Sequence, residues 1–237
     1  MPRRKRDWSL GGVYHITHRC HEKNFLLKFA KYRDLYLDYL HEATKKFRLK
    51  ILDYAITSNH VHLLVYVSKG AEISKALQYV HGRIAQAYNS GKKREGAFWK
   101  DRFHATRIQE GEHFGKCLFY IDMNMVRAGV VESPMEWAHN GCREFFYEKE
   151  RKRIVDMEYL LKALRIKSLE KFRKWYKNTL REKLGNRKHA REAFWSRAFA
   201  VGDVEWLSAL TSKTGVRLKL QQMGAKKGQI SFLIGKN

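Results

Sequence analysis

Two histidines separated by one residue sit in the run Asn59-His60-Val61-His62-Leu63-Leu64-Val65-Tyr66-Val67. As a strand, this run puts both imidazoles on one face, close enough to share a metal ion. Val61, Leu63, Val65 and Val67 then form an apolar packing face on the other side. Thr57-Ser58-Asn59 ahead of the run reads as a polar turn. Metal ligands need a stiff support, and a strand inside a sheet supplies one. Alone, so short a pattern arises on many half-buried strands; a second group of residues gives it weight.

That second group lies on a helix expected from about Glu112 to Arg127. Phe114, Cys117, Leu118, Ile121 and Met125 form its apolar stripe, and Lys116, Tyr120, Asn124 and Arg127 form an exposed ridge nearly opposite. Two imidazoles and an amide oxygen can hold a hard divalent ion and leave positions open for phosphate oxygens. Tyrosine is a competent nucleophile toward phosphorus so polarised. A free phenol ionises only near roughly pH 10, so it needs help at neutral pH, for which Lys116 and Arg127 are placed. The product is a tyrosine–DNA phosphodiester. The ester energy stays in that bond, so a second hydroxyl can rejoin the strand without ATP.

The 237 residues fit one large or two small domains, and 44% hydrophobic with 13% aromatic residues supports a core. Three cysteines, Cys20, Cys117 and Cys142, lack metal-type spacing and suit a reducing compartment. His15, His18, Cys20 and His21 are not read as a zinc site: alternation sends His15 and His18 to opposite faces, and no second ligand pair accompanies them. His15 is placed near the catalytic face. No apolar run is long enough to span a bilayer, and the basic start is not followed by an apolar signal segment. The expectation is a soluble, cytoplasmic protein.

A net charge of +24 calls for a polyanionic partner, nucleic acid before an anionic membrane. Residues 1–150 hold 26 Lys and Arg against 17 Asp and Glu, and residues 151–237 hold 22 against 7. Phosphate contacts are therefore expected to concentrate in the tail. Arg3, Arg4, Lys5 and Arg6 form a basic arm of the kind that reaches grooves or phosphates. Arg102 and Phe103, beside Trp99, mix cation and aromatic as single-strand grips do.

The periodicities read in order as strand, helix, strand, strand, helix, strand and one further helix. That is an α+β pattern, a ferredoxin-like or RRM-like βαββαβ antiparallel sheet with helices on one face. The histidine strand is expected inside the sheet. Residues 1–147 are read as the catalytic domain. Residues 148–237 are read as a basic, mainly helical DNA-contacting region whose last fifteen residues stay loose until a partner binds.

His60-Val61-His62, with Asn59 before and Leu63-Leu64 after, resembles the HUH motif of single-strand tyrosine transposases. Tyr120-Ile121-Asp122-Met123-Asn124-Met125-Val126-Arg127-Ala128-Gly129 resembles their Tyr-Ile-x-x-Asn-Pro-Val-Arg-Ala-Gly segment. Pro2-Arg3-Arg4, Gly11-Gly12-Val13-Tyr14-His15-Ile16-Thr17 and Trp99-Lys100-Asp101-Arg102-Phe103 match as well, marks of the REP-associated branch. Ser58 stands where the family has proline before Asn59, and Met125 where it has proline after Asn124.

The resemblance implies that His60, His62 and Asn124 bind Mg²⁺ or Mn²⁺. It implies that Tyr120 attacks DNA and leaves a 5′-phosphotyrosine and a free 3′-hydroxyl. The implied substrate is single-stranded DNA beside a palindromic hairpin in a bacterial nucleoid. DNA contacts are assigned to Arg3, Arg4, Lys5, Arg6, Arg19, Arg102, Phe103, Lys116 and Arg127. A monomer is favoured over a homodimer. The competing readings are a non-catalytic hairpin-binding protein of RRM-like fold and a hydrolase that uses activated water.

Overall fold

The computed structural model describes residues 8–147, 152–185, 192–214, 218–223 and 230–235. The basic arm Arg3, Arg4, Lys5 and Arg6 lies outside the described residues. Seven strands form one sheet, in the order β2-β3-β1-β4-β5-β7-β6. The strands are β1 (Val13–Arg19), β2 (Lys50–Ile56), β3 (His60–Tyr66), β4 (His104–Ile108), β5 (Ala200–Gly202), β6 (Leu218–Met223) and β7 (Ile230–Gly235). The first four pair antiparallel, with the histidine strand β3 between β2 and β1.

β2 and β3 are buried from their second residue onward, so both faces of this part of the sheet must be covered. Helices α1 (Ala30–Lys46) and α2 (Ile73–Gly91) cover one face: Tyr36 of α1 bonds His81 of α2, which bonds His18 of β1. Helix α3 (Glu112–Asp122) covers the other, with its Tyr120 ring against His15 of β1 and His62 of β3. The expectation of helices on one face is thus corrected. The cause lies in strands that carry apolar residues at consecutive positions rather than alternate ones.

The tail is mainly helical among its described residues, and it adds strands that the sequence did not suggest. It contains α5 (Met157–Leu164), α6 (Leu169–Gly185) and α7 (Val204–Thr214), while β5, β6 and β7 extend the sheet. β5 lies parallel to β4, with Arg107 opposite Ala200 and Ile108 opposite Val201. Phe232 and Leu233 of β7 are buried, so part of the segment expected to be loose is core. The hydrophobic core is continuous from Val13 to Phe232 and includes Phe172, Tyr176 and Trp195. The tail therefore folds onto the front part and shares its core.

Candidate active site

The register of the central strands builds one functional face. Thr17 lies opposite His62, Arg19 opposite His60, and His104 opposite Thr17. Cross-strand partners share a face, so His15, Thr17, Arg19, His60, His62, His104 and Thr106 all project toward α3.

Two glycines frame the tyrosine helix. Gly111 precedes α3 with φ 82° and ψ −122°, a conformation open to glycine and costly for any side chain. Gly129 (φ +67°) ends the short helix α4 (Asn124–Arg127). The helix expected to run unbroken to Arg127 is interrupted at Met123. Asn124 opens α4 and points its amide at His62, with Nδ2 3.0 Å from Nε2.

Tyr120 is not on an exposed ridge; it is only 6% exposed. Its ring centroid lies 6.0 Å from His62, 6.1 Å from His15 and 6.0 Å from Trp195. Trp195, from the tail, supplies the cover that helical periodicity could not anticipate. The guanidinium of Arg127 lies 4.4 Å from the centroid of the Tyr120 ring and donates to its main-chain carbonyl.

The tautomers of both paired histidines follow from their partners. Asn59 Nδ2 donates to the Lys23 carbonyl, which fixes the orientation of that amide. Asn59 Oδ1, 2.7 Å from His60 Nδ1, then accepts its proton. His15 Nδ1 stands 2.8 Å from the Trp195 carbonyl, which can only accept, and His15 Nε2 stands 2.8 Å from His62 Nδ1. Burial pushes the His15 imidazole down to about 3 and His62 well below the usual histidine range, so both are neutral. His62 Nδ1 therefore donates to His15 Nε2. His62 thus carries its proton on Nδ1 and a lone pair on Nε2, and His60 carries a proton on Nδ1.

That donor set fits a hard divalent ion. The paired imidazoles share this face with an amide whose two ends exchange by a simple turn, which would present Oδ1 of Asn124 to the site. Among the described residues no group of three or more His, Cys, Asp or Glu side chains could hold a metal ion. A ligand set here thus depends on the amide.

Tyr120, Asn124, His60 and His62 line one cleft of about 610 Å³. Arg19, Lys100, Arg102, Arg127 and Arg197 line it too, against the single carboxylate of Asp101. The expected residues Arg19, Arg102 and Arg127 are thus brought together with the tyrosine. Lys116 is not at the cleft: it pairs with Glu112 one turn back, at 2.7 Å. Phe103 packs behind it, stacked on Trp8 at 6.3 Å and edge-on to His18 and His81. Trp99 stacks on His18 at 4.2 Å on that same side of the sheet.

Sequence reasoning missed Trp195, Arg197 and His104 as site residues. His15 it placed near the face without a role. The signal for His15 and His104 was strand alternation, but its use needs the register. For Trp195 and Arg197, far along the chain, the sequence offered only the helical spacing of Phe194, Trp195, Ala198 and Phe199, which does not point to the histidine strands.

The IS200-like transposase family matches residues 10–124. None of the curated proteins matches the chain. Among solved structures, a REP-associated tyrosine transposase bound to a REP hairpin is similar at 16% identity, covering 66% of this chain and 94% of that one with a TM-score of 0.52. A putative transposase from Deinococcus radiodurans is similar at 15% identity over 54% of this chain and 98% of that one, with a TM-score of 0.36. The described residues contain no helix long and apolar enough to cross a membrane. The match to the IS200-like transposase family takes in residues 10–124, just under half of the chain, and includes both the histidine strand and Tyr120.

Proposed function

We propose that this chain is a DNA transposase that nicks and rejoins single-stranded DNA beside palindromic hairpins, through a covalent bond between Tyr120 and a 5′ phosphate. The observation that carries this reading is the convergence of Tyr120, His62 and Asn124 in one cation-lined cleft. The family match supports DNA transposition, and the solved relative of similar fold holds a REP hairpin.

His60, His62 and Asn124 would hold Mg²⁺ or Mn²⁺, which when bound polarises the scissile phosphate. Tyr120 Oη attacks phosphorus and an O–P bond forms. The P–O3′ bond breaks; the departing 3′ oxygen takes up a proton, and the phenol proton passes to water in the cleft. Arg127, facing the Tyr120 ring, favours negative charge as that proton leaves. Arg19, Arg102 and Arg197 hold neighbouring phosphates in the cleft. In the reverse sense, a 3′-hydroxyl of another strand attacks the phosphotyrosine and frees Tyr120.

The tyrosine and the imidazoles meet within one chain, so a monomer suffices. Such chemistry belongs at the nucleoid, in a bacterial cytoplasm. The test is incubation with end-labelled hairpin DNA and Mn²⁺, followed by boiling in detergent. The expected result is a protein–DNA adduct that is lost in Tyr120→Phe. Tight binding with no adduct on any hairpin would indicate a non-catalytic binder. Cleavage undiminished in Tyr120→Phe would indicate a hydrolase using water.

A further inference from the structure

The chain of bonds behind His62 reaches the tail. Trp195 is fully buried, and the segment after it is zipped to β4: His104 Nε2 and Thr106 Oγ1 bond the Ala198 carbonyl at 2.9 and 2.8 Å, and Arg107 N bonds the Phe199 carbonyl at 2.9 Å. The Trp195 carbonyl is thereby fixed in front of His15 Nδ1. It can only accept, so it demands the proton on His15 Nδ1. That leaves a lone pair on His15 Nε2, which demands the proton on His62 Nδ1. The final atom in the relay, His62 Nε2, is left with its lone pair aimed at Asn124.

We propose that His15 is a positioning residue that transmits the orientation of the Trp195 main-chain carbonyl to His62, so that the C-terminal segment sets the tautomer of the catalytic face. The proposal deepens the transposase reading and rests on it for the role of His62 as a ligand. A site with this relay intact presents two imidazoles in matching Nδ1–H form. With the relay broken, His62 is free to carry its proton on Nε2, where it can hold no ion. The tail then does more than grip DNA: the cleft is complete only when residues near 195 are docked.

The experiment is two-dimensional NMR of the full chain with ¹⁵N-labelled histidine, in chelator, for the wild type, His15→Phe and Trp195→Phe. Mn²⁺ affinity and hairpin binding without divalent ions are measured alongside. Expected is a pure Nδ1–H pattern for His62 in the wild type and in Trp195→Phe, which keeps the carbonyl. His15→Phe should show a mixture, lose Mn²⁺ affinity by about 10–100-fold and keep its hairpin binding. A merely structural role for His15 would lower stability and leave the His62 tautomer unmoved. A proton on His62 Nε2 in the wild type, or an unchanged His62 pattern in a folded His15→Phe, overturns the proposal. Should His15→Phe not fold, the wild-type spectrum still decides. A wild type that shows the Nδ1–H pattern but binds no Mn²⁺ would leave the relay standing and count against the ligand role.

Discussion

The Arg127 guanidinium faces the Tyr120 ring at 4.4 Å and bonds the same residue's carbonyl, so one side chain holds both the ring and the main chain of the tyrosine. A cation–ring contact at a half-buried site is worth ~1–2 kcal/mol, and a charged hydrogen bond ~1.5–3 kcal/mol. Arg127→Ala should therefore lower the rate of adduct formation by about 10–100-fold, read in single-turnover gels. Arg127→Lys keeps the charge but loses the planar face, and should fall between.

Asn124 stands between the tyrosine helix and His62 at 3.0 Å. Asn124→Ala should weaken Mn²⁺ binding and slow cleavage while hairpin affinity in chelator stays near wild type. Removal of the ion with EDTA should abolish the adduct in the wild type and restore it on adding Mn²⁺ back. Isothermal titration together with the gel assay checks both.

Behind the tyrosine helix lies a buried acid pair. Asp53 and Asp122 are fully buried side by side, each the other's neighbouring carboxyl. Burial and the neighbouring carboxyl push Asp53 well above the usual carboxylate range, and burial raises Asp122 to about 7. A carboxyl raised by folding binds its proton more tightly in the native chain than in the unfolded one. Stability from this pair is therefore full below the unfolded value of roughly 4, and falls as pH rises toward the folded value. The expected slope is about 1.4 kcal/mol per pH unit for one proton, read by denaturant titration between pH 4 and 7. Asp53→Asn should flatten that slope.

Gly141 lies against the same pair. A Cβ there would come 2.5 Å from Asp53 Oδ1 and 2.9 Å from the Tyr54 backbone nitrogen. Since the backbone cannot yield cheaply, Gly141→Ala should destabilise the fold by about 1–3 kcal/mol, measured by thermal or chemical unfolding. Tyr176→Phe removes the 2.6 Å bond to Asp122 Oδ2 and should cost a similar ~1–3 kcal/mol.

The cations of the cleft should behave as phosphate contacts. Arg19→Ala and Arg102→Ala should each weaken hairpin binding across sequences and reduce the slope of log affinity against log salt by about 1. Lys116→Ala, away from the cleft and paired with Glu112, should leave that slope nearly unchanged.

The first four strands and the helices between them were legible because hydrophobic periods of two and of three to four residues are strong there. His60 and His62 could be placed on one face from alternation alone. The partnership of Tyr120 with His15 and Trp195 could not, because it depends on strand register and on a segment distant in the chain. β5 is only three residues long and pairs in parallel, which leaves almost no local pattern. β7 lies next to a lysine- and glycine-rich stretch, and its adjacent residues Phe232 and Leu233 are both buried, one on each face of the strand, so no alternation marks it. The break at Met123 lies between Asp122 and Asn124, two weak helix formers, but the apolar spacing runs on through it to Met125 and masks it.

The most direct measurement is mass spectrometry of the protein after reaction with hairpin DNA and Mn²⁺, with protease and nuclease digestion before fragmentation. The account predicts a nucleotide joined through its 5′ phosphate to the peptide that carries Tyr120, with the partner fragment ending in a 3′-hydroxyl. Cleaved DNA with a free 5′ phosphate and an unmodified Tyr120 peptide at every time point would contradict it.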